Sequence, residues 1–285
     1  MRFKAKLVDI SSIHKFTSVV STVSHMAKMC ALRLSPSTLY FIMNDTAAEG
    51  GATVWCEVNQ SSLFEEFRIE GIEGSNDNIY LELCPENLVK AMRSAANAQM
   101  VKIKLTNKVT PCLTFEISLP SMVRSRKLIH DTPVTVIRQA EWDDYQEPQL
   151  QQYDISICMP SLKTVKNIVD KMKQFNSQIV ISANSRGCMT LKVATDLVTT
   201  TTYFKGLEVE DLEGNHSNAS NCSNTPRTTE ATLDIKKFLA FFHGQNINPT
   251  KVICNISDQR TVHFHLTQDD FSLEYLIPAI VTGEI

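Results

Sequence analysis

Two segments with the same helical spacing of apolar residues decide how this chain is organised: residues 13–23, IHKFTSVVSTV, and residues 162–172, LKTVKNIVDKM. The apolar positions are Ile13, Phe16, Val19, Val20 and Val23 in the first segment and, 149 residues later, Leu162, Val165, Ile168, Val169 and Met172 in the second. Residues spaced by three and four positions share one face of a helix. Each segment therefore predicts an amphipathic helix, and their correspondence predicts that the chain is a duplication.

The sequence around these two segments repeats as well. An alternating stretch precedes each one, and two further alternating stretches joined by a turn follow it. Farther along, a second helical pattern and another pair of alternating stretches recur at offsets of 150 and 151 residues. This order predicts two α+β domains, each with the succession strand, helix, strands, helix, strands.

The length and composition fit two domains of ordinary size. The chain has 285 residues, of which 43% are hydrophobic and 21% are charged, so each half can bury a core of its own. We predict a first domain over residues 1–138, a connector over 139–153 and a second domain over 154–285. The connector is acidic and polar, and a mobile loop rich in Asn, Ser and Thr is predicted at about 208–230.

The sequence lacks the patterns of secretion and of membrane insertion. No stretch of about 18 apolar residues is present, and the N-terminal MRFKAKLVDI lacks the apolar core of a signal peptide. The eight cysteines lie 26 to 46 residues apart and form no Cys-x-x-Cys pair. We therefore expect reduced thiols in a nuclear or cytoplasmic protein, with neither a disulfide framework nor a zinc site.

Charge is distributed unevenly between the predicted helices and the rest of the chain. The net charge is −3, but the helices predicted at 10–29, 86–99, 161–175 and 234–245 contain ten basic residues and only three acidic ones. The basic residues are Lys15, Lys28, Lys90, Arg93, Lys163, Lys166, Lys171, Lys173, Lys236 and Lys237. If the helices share a surface, that surface can contact the DNA backbone independently of sequence. Alternatively, the lysines only solvate the outer faces of amphipathic helices.

Duplicated strand-rich domains with basic helices resemble a DNA sliding clamp, in which the helices line the hole of a ring and antiparallel sheets form its outer wall. Segments that occur in the same order narrow this resemblance to one branch. They include RFKAKLVD at 2–9, LRLSPSTLYFI at 32–42, YLELCPENLVKAM at 80–92, GQNINPTKVICNI at 244–256 and FSLEYLIPAI at 271–280. Over nearly its whole length, the chain resembles the Hus-one family of the heterotrimeric nine-one-one checkpoint clamp.

This resemblance implies a non-catalytic scaffold without a cofactor. A subunit of this family closes a ring with Rad-nine-type and Rad-one-type subunits. An ATP-dependent clamp loader places the ring on double-stranded DNA at sites of damage, where it recruits checkpoint and repair proteins in the nucleus. A homotrimeric replication-type clamp shares the fold and the basic helices, so it remains the alternative.

The resemblance also implies two contact surfaces. Edge strands at 112–118 and 198–204 would pair with neighbouring subunits, and their candidate residues are Cys112, Leu113, Thr114, Phe115, Val198, Thr200, Thr202 and Phe204. A groove for client peptides would be lined by Met43, Leu150, Ile277 and Pro278. Two aromatic residues of the connector, Trp142 and Tyr145, either anchor a partner or fold back onto the sheet.

The sequence offers no recognisable catalytic or metal-binding pattern. It contains no GxxxxGK[ST] loop for ATP, and His263 and His265 alternate on a predicted strand without a third metal ligand at useful spacing. Cys56 lacks an adjacent base and is predicted to pack in the core. We therefore predict neither a catalytic nor a metal site. The missing motifs argue against an enzyme of unrecognised class, and the helix charges argue against a binding module that never touches DNA.

Overall fold

The computed structural model describes residues 1–44, 51–71, 77–120, 126–149, 152–210 and 228–280. The chain divides into two compact units. The first comprises Met1–Asn44, Val54–Glu147 and Gln268–Ser272, and the second comprises Asp45–Thr53, Pro148–Thr267 and Leu273–Ile285. The connector predicted at 139–153 spans the change from one unit to the other, and its predicted bounds stay a prediction.

The first unit follows the predicted order of elements. Its described helices and strands are β1 (Arg2–Leu7), α1 (Ile10–Met26), β2 (Cys30–Leu34), β3 (Thr38–Asn44), β4 (Thr53–Asn59), β5 (Glu66–Glu70), β6 (Ile79–Leu83), α2 (Pro85–Arg93), β7 (Met100–Asn107), β8 (Pro111–Leu119), β9 (Arg126–Pro133) and β10 (Thr135–Val136). One antiparallel sheet has the order β5-β1-β7-β8-β9, and other strands lie in the order β10-β6-β2-β3-β4. Phe41, Phe115 and Leu34 are among the fully buried residues of this unit.

The second unit repeats this succession. Its described elements are β11 (Ile155–Cys158), α3 (Leu162–Met172), β12 (Gln178–Asn184), β13 (Cys188–Ala194), β14 (Thr199–Phe204), β15 (Thr228–Asp234), α4 (Ile235–Phe241), β16 (Lys251–Ser257), β17 (Thr261–Gln268) and β18 (Phe271–Pro278). The strands are ordered β14-β13-β12-β15 in one sheet and β18-β17-β16-β11 in the other layer. Phe241 stacks on Phe264, with ring centroids 4.6 Å apart, in a core that also buries Phe238 and Tyr275.

The apolar faces of α1 and α3 are buried as their spacing predicts. In α1, all five predicted positions from Ile13 to Val23 are buried, and in α3 only Ile168 of the five keeps part of its surface exposed. The ends of the helices differ from the prediction. Because Ala27 has an extended backbone, with φ −132° and ψ 135°, α1 ends at Met26 and Lys28 lies outside it.

Two residues of the second unit, Asp234 and Gly187, determine local structure at the start of a helix and in a turn. The Asp234 carboxylate accepts hydrogen bonds from the backbone N–H groups of Lys236 and Lys237, at 2.8 and 3.1 Å, and so begins α4. Such a cap stabilises a helix by about 1 kcal/mol. In the turn between β12 and β13, Gly187 has a φ of +71°, and a Cβ there would come within 2.1 Å of the Leu207 carbonyl oxygen. This turn therefore requires glycine.

The loop predicted at about 208–230 is shorter at both ends in the structure. The Cys158 N–H donates to the Glu208 carbonyl at 2.8 Å, and the Glu210 N–H donates to the Ser156 carbonyl at 2.9 Å. Residues 208–210 thus lie along the edge of β11, and residues 228–230 belong to β15. The rest of this prediction falls on residues 211–227, which lie outside the described part of the chain.

Candidate DNA-facing, subunit and client surfaces

The helices of the first unit present basic side chains to solvent. Lys15 on α1 and Lys90 and Arg93 on α2 are all exposed. The Lys90 Nζ lies 3.1 Å from the Glu86 Oε1 in an exposed pair four residues apart, which stabilises the helix by only a few tenths of a kcal/mol. Lys28 is also exposed, but it lies in the loop between α1 and β2.

The helices of the second unit carry the larger share of the predicted basic residues. Four of the six are exposed and two are half-buried; they are Lys163, Lys171, Lys173 and Lys236, and Lys166 and Lys237. Asp170 lies between two of these lysines, with its carboxylate 3.8 Å from the Lys166 Nζ and 3.4 Å from the Lys173 Nζ. Lys173 caps the end of α3.

Each helix remains positively charged within its observed bounds. The formal charge is +1 on α1 and on α2, and +2 on α3 and on α4. Flexible, solvent-exposed ammonium groups contact phosphate oxygens without reading base sequence, and salt screens such contacts. The helices can therefore contribute many weak contacts to a DNA backbone.

The predicted edge strand at 112–118 is not an edge strand. It forms most of β8, which pairs with β7 on one side and with β9 on the other. All four candidate residues of this strand, Cys112, Leu113, Thr114 and Phe115, are buried. A β-rich pattern indicates a strand, but the order of strands in a sheet depends on long-range pairing. This part of the interface prediction is wrong.

Within the described residues, the strand at the edge of this sheet next to β8 is β9, and β5 forms the opposite edge. Its residues Leu128 and Ile129 leave 40% and 63% of their surface exposed. No local pattern in the sequence marks this strand as the edge of a sheet. An unpaired strand edge with exposed apolar side chains is suited to pairing with another chain.

The second predicted edge strand does lie at the edge of its sheet. β14 pairs with β13 only, in the described residues, and Tyr203 on it is 64% exposed. Thr200, Thr202 and Phe204 are half-buried, and Val198 is exposed just before the strand begins. The strand is thus available for backbone pairing, and its role in a subunit contact stays a prediction.

Comparison with known proteins decides the family. A model of the family described as "Hus1-like protein" matches residues 1–281. The chain belongs to the Hus1-like family. The resemblance of the ordered sequence segments is therefore confirmed.

Relatives of this family match the chain along its length. The chain is similar to human "Checkpoint protein HUS1", with 44% identity over 98% of the chain and 100% of the human protein. It is 25% identical to "Checkpoint protein Hus1-like" of Drosophila melanogaster, over 98% of the chain and 99% of the relative. The solved structure of Proliferating Cellular Nuclear Antigen from Entamoeba histolytica covers 98% of both chains, with a TM-score of 0.72 and 14% identity. The fold is therefore that of a sliding clamp, as predicted.

The client residues predicted for this Hus1-like chain have different environments. Met43 on β3 and Pro278 at the end of β18 are half-buried. Ile277 is fully buried, because it lies on the same inward face of β18 as Leu273 and Tyr275. It packs in the core and cannot contact a client in this conformation, which corrects its assignment. Leu150 lies outside the described residues.

The two aromatic residues of the connector fold back onto the sheet. Trp142, in the 3₁₀ segment Gln139–Tyr145, stacks on Tyr80 with ring centroids 4.5 Å apart, and its Nε1 donates to the Ile137 carbonyl at 3.2 Å. Tyr145 lies 6.3 Å from the same ring of Tyr80. The guanidinium carbon of Arg33 also lies over the Tyr80 ring, 5.7 Å from its centroid. Of the two alternatives, the structure shows packing on the sheet.

Two thiols and one histidine of the Hus1-like chain are deeply buried. Burial raises the pKa of the Cys56 and Cys254 thiols well above the ordinary value, so both stay protonated and unreactive. His263 is 2% exposed, and its Nδ1 lies 2.8 Å from the Tyr153 hydroxyl and 3.1 Å from the Asn255 amide nitrogen.

Among the described residues, no cluster of three His, Cys, Asp or Glu is arranged to hold a metal ion, and no helix has the length and hydropathy to cross a membrane.

Proposed function

We propose that this chain is a non-catalytic subunit of a ring-shaped checkpoint clamp that encircles double-stranded DNA. The observation that carries the proposal is the match to the Hus1-like family over residues 1–281. The names of the human and Drosophila relatives support a role in a checkpoint. The fold supports ring formation, because it is similar to that of a sliding clamp.

In this role the helices contact the DNA backbone. Lys15 on α1, Arg93 on α2, and Lys163, Lys171 and Lys236 on α3 and α4 are exposed, and none of the five forms an ion pair within the described ranges. They are therefore free to contact phosphates. Lys90, Lys166 and Lys173 must share their charge with Glu86 or Asp170, so they contribute less.

The ring closes through the two sheet edges. Among the terminal strands of the two sheets, β9 in the first unit and β14 in the second carry the exposed side chains of Ile129 and Tyr203, so we assign one of these edges to each of two neighbours. We propose that the neighbours are a Rad-nine-type and a Rad-one-type subunit. An ATP-dependent loader opens this ring and places it on nuclear DNA, and the loaded ring recruits checkpoint and repair proteins.

A homotrimeric replication-type clamp is the second candidate. The structural similarity to Proliferating Cellular Nuclear Antigen favours it, at a TM-score of 0.72, but the low identity of 14% makes this a similarity of fold alone. Both candidates predict a basic helix surface and two free edges. Only the composition of the ring separates them.

The deciding experiment is co-expression of the chain with Rad-nine-type and Rad-one-type subunits, followed by native mass spectrometry. A complex with one copy of each subunit is expected. A trimer of this chain alone would support the replication-type clamp. A chain that stays monomeric in the presence of both partners would overturn both ring assignments.

A further inference from the structure

A cleft of about 790 Å³ opens in the second unit, beside the start of α3. One wall is formed by residues 159–163 and by the next turn of the helix, and the other by residues 248–252 with Gln245. These two stretches lie far apart in the sequence, and the packing of α3 against the segment after α4 brings them together. The cleft has the size of a binding site for a small ligand or a short peptide segment.

The cleft is positively charged. Three lysines line it, Lys163, Lys166 and Lys251, and no carboxylate does so among the described residues. Lys251 is neutralised by an ion pair with Glu210, and Lys166 lies 3.8 Å from Asp170. Lys163 is exposed and has no ion pair with any residue that the structure describes. The cleft therefore has at least one ammonium group ready to bind an anion.

Amide side chains add hydrogen-bonding groups around the lysines. Asn167, Gln245 and Asn248 all line the cleft, and their side chains form no hydrogen bond within the described part of the chain. Each amide offers two donors and one acceptor. Such groups match the N–H and C=O groups of an extended peptide backbone.

Besides the hydroxyl groups of Ser161 and Thr250, the rest of the lining is apolar. Met159, Pro160 and Val252 are half-buried, and Leu162 is 7% exposed. No aromatic side chain lines the cleft in the described residues. Single-stranded nucleic acid is commonly held by stacking of bases on aromatic rings, so this lining favours an aliphatic side chain over a base.

We propose that this cleft binds an acidic segment of a partner protein, with a carboxylate on Lys163 and Lys166 and an aliphatic side chain against Met159 and Val252. This site goes beyond the proposed clamp function, because it needs no ring and no DNA. Since Lys163 and Lys166 are also candidates for contacts with DNA, the test has to separate a peptide site from a general attraction of anions.

The test uses the full chain and a short fluorescein-labelled peptide that alternates glutamate with leucine, with binding followed by fluorescence anisotropy. A matched peptide with glutamine in place of glutamate measures the contribution of charge. We expect the acidic peptide to bind at least ten times more tightly than its glutamine counterpart. Selective labelling of methionine methyl groups should show the Met159 signal shifting on binding, while the signal of the buried Met189 stays in place.

Two double variants with the same change in charge distinguish a defined binding site from a general attraction of anions to the positive surface. Lys163→Glu with Lys166→Glu should reduce peptide affinity more than tenfold, whereas Lys236→Glu with Lys237→Glu on α4 should change it less than threefold. Met159→Ser, which preserves the charge, should also weaken binding. Equal losses in the two charge variants, or no saturable peptide binding, would overturn the proposal. The proposal would also be overturned if a single-stranded oligonucleotide bound more tightly than the peptide and shifted the same Met159 signal.

Discussion

The Tyr153 hydroxyl lies 2.8 Å from Nδ1 of the buried His263, and the two rings stack with centroids 5.4 Å apart. This contact joins Tyr153, which lies two residues before the start of β11, to β17. The Asn255 amide nitrogen approaches the same Nδ1 at 3.1 Å. Nδ1 can accept hydrogen bonds from Tyr153 and Asn255 only while it carries no proton. Protonation of Nδ1 would break at least one of these bonds, so the contact depends on the protonation state of His263.

Acid should destabilise the second unit through this histidine. Burial lowers the pKa of His263 to about 4, and the neighbouring His265 acts in the same direction. The Glu274 carboxylate, 3.7 Å from Nε2, opposes this shift, but burial dominates. Because an unfolded histidine titrates near 6.5, the unfolded chain takes up the proton first as the pH falls. The free energy of unfolding should therefore keep its full value above pH about 6.5 and decrease towards pH about 4, by up to about 3 kcal/mol.

Urea unfolding measured at a series of pH values checks this prediction. His263→Gln should flatten the dependence between pH about 6.5 and about 4, because glutamine does not titrate. His14→Gln makes the same substitution at an exposed position and serves as the matched control. Parallel pH profiles for His263→Gln and the parent chain would contradict the assignment.

Two lysines of α4 should contribute to the salt dependence of DNA binding. Lys236→Ala with Lys237→Ala, in the ring assembled with its partner subunits, removes two potential phosphate contacts. The slope of log Kobs against log salt concentration should fall in magnitude by about 1 to 2, since each contact contributes about 0.9. Filter binding to double-stranded DNA over a salt series measures the slope. Lys192→Ala with Lys205→Ala removes the same charge from exposed positions on and after the sheet strands, and should leave the slope unchanged.

Local patterns in the sequence predicted most of the helical structure. The spacing of Ile13, Phe16 and Val19 identifies the buried face of α1, because three-residue and four-residue steps return to the same side of a helix. Asp234 marks the start of α4, because its carboxylate caps the first turn. The alternation of Ile277 with Leu273 and Tyr275 along β18 likewise indicates that Ile277 is buried.

The order of strands and the cleft were not predictable from the sequence. Residues 112–118 have the composition of a strand, but only the pairing of β8 with both β7 and β9 shows that they lie inside a sheet. Similarly, Lys163 and Thr250 line one cleft although 86 residues separate them, and neither neighbourhood contains a binding motif. Both features arise from contacts between distant segments, which a local pattern does not encode.

The connector should contribute to the stability of the first unit through Trp142. Trp142→Ala removes the ring stacked on Tyr80 and the hydrogen bond to the Ile137 carbonyl, so the free energy of unfolding should fall by roughly 1 to 3 kcal/mol. Trp142→Phe, which keeps a ring, should lose less. Urea unfolding followed by far-ultraviolet circular dichroism provides the measurement. Glu141→Ala changes an exposed neighbour, and a loss in Trp142→Ala no larger than in Glu141→Ala would count against packing of the connector.

Substitution of two isoleucines on adjacent strands should distinguish a residue that contacts a neighbouring subunit from one that stabilises the fold. Ile129 on β9 is 63% exposed, whereas Ile117 on β8 is fully buried. Ile129→Glu should leave the stability of the isolated chain within about 0.5 kcal/mol, because the new carboxylate stays in water. In co-expression with the partner subunits, however, it should reduce the yield of the trimeric ring, because the carboxylate would be desolvated at the edge of β9.

Ile117→Glu should instead unfold the first unit, because it places an unpaired charge in the core. Thermal unfolding of the isolated chain and native mass spectrometry of the co-expressed complex distinguish the two effects. Val109→Glu adds the same charge at a 99% exposed position in the turn between β7 and β8, and should preserve both stability and ring yield. If Ile129→Glu forms the ring as well as Val109→Glu does, exposed apolar surface on β9 makes no contact with a neighbour, and ring closure must use another edge.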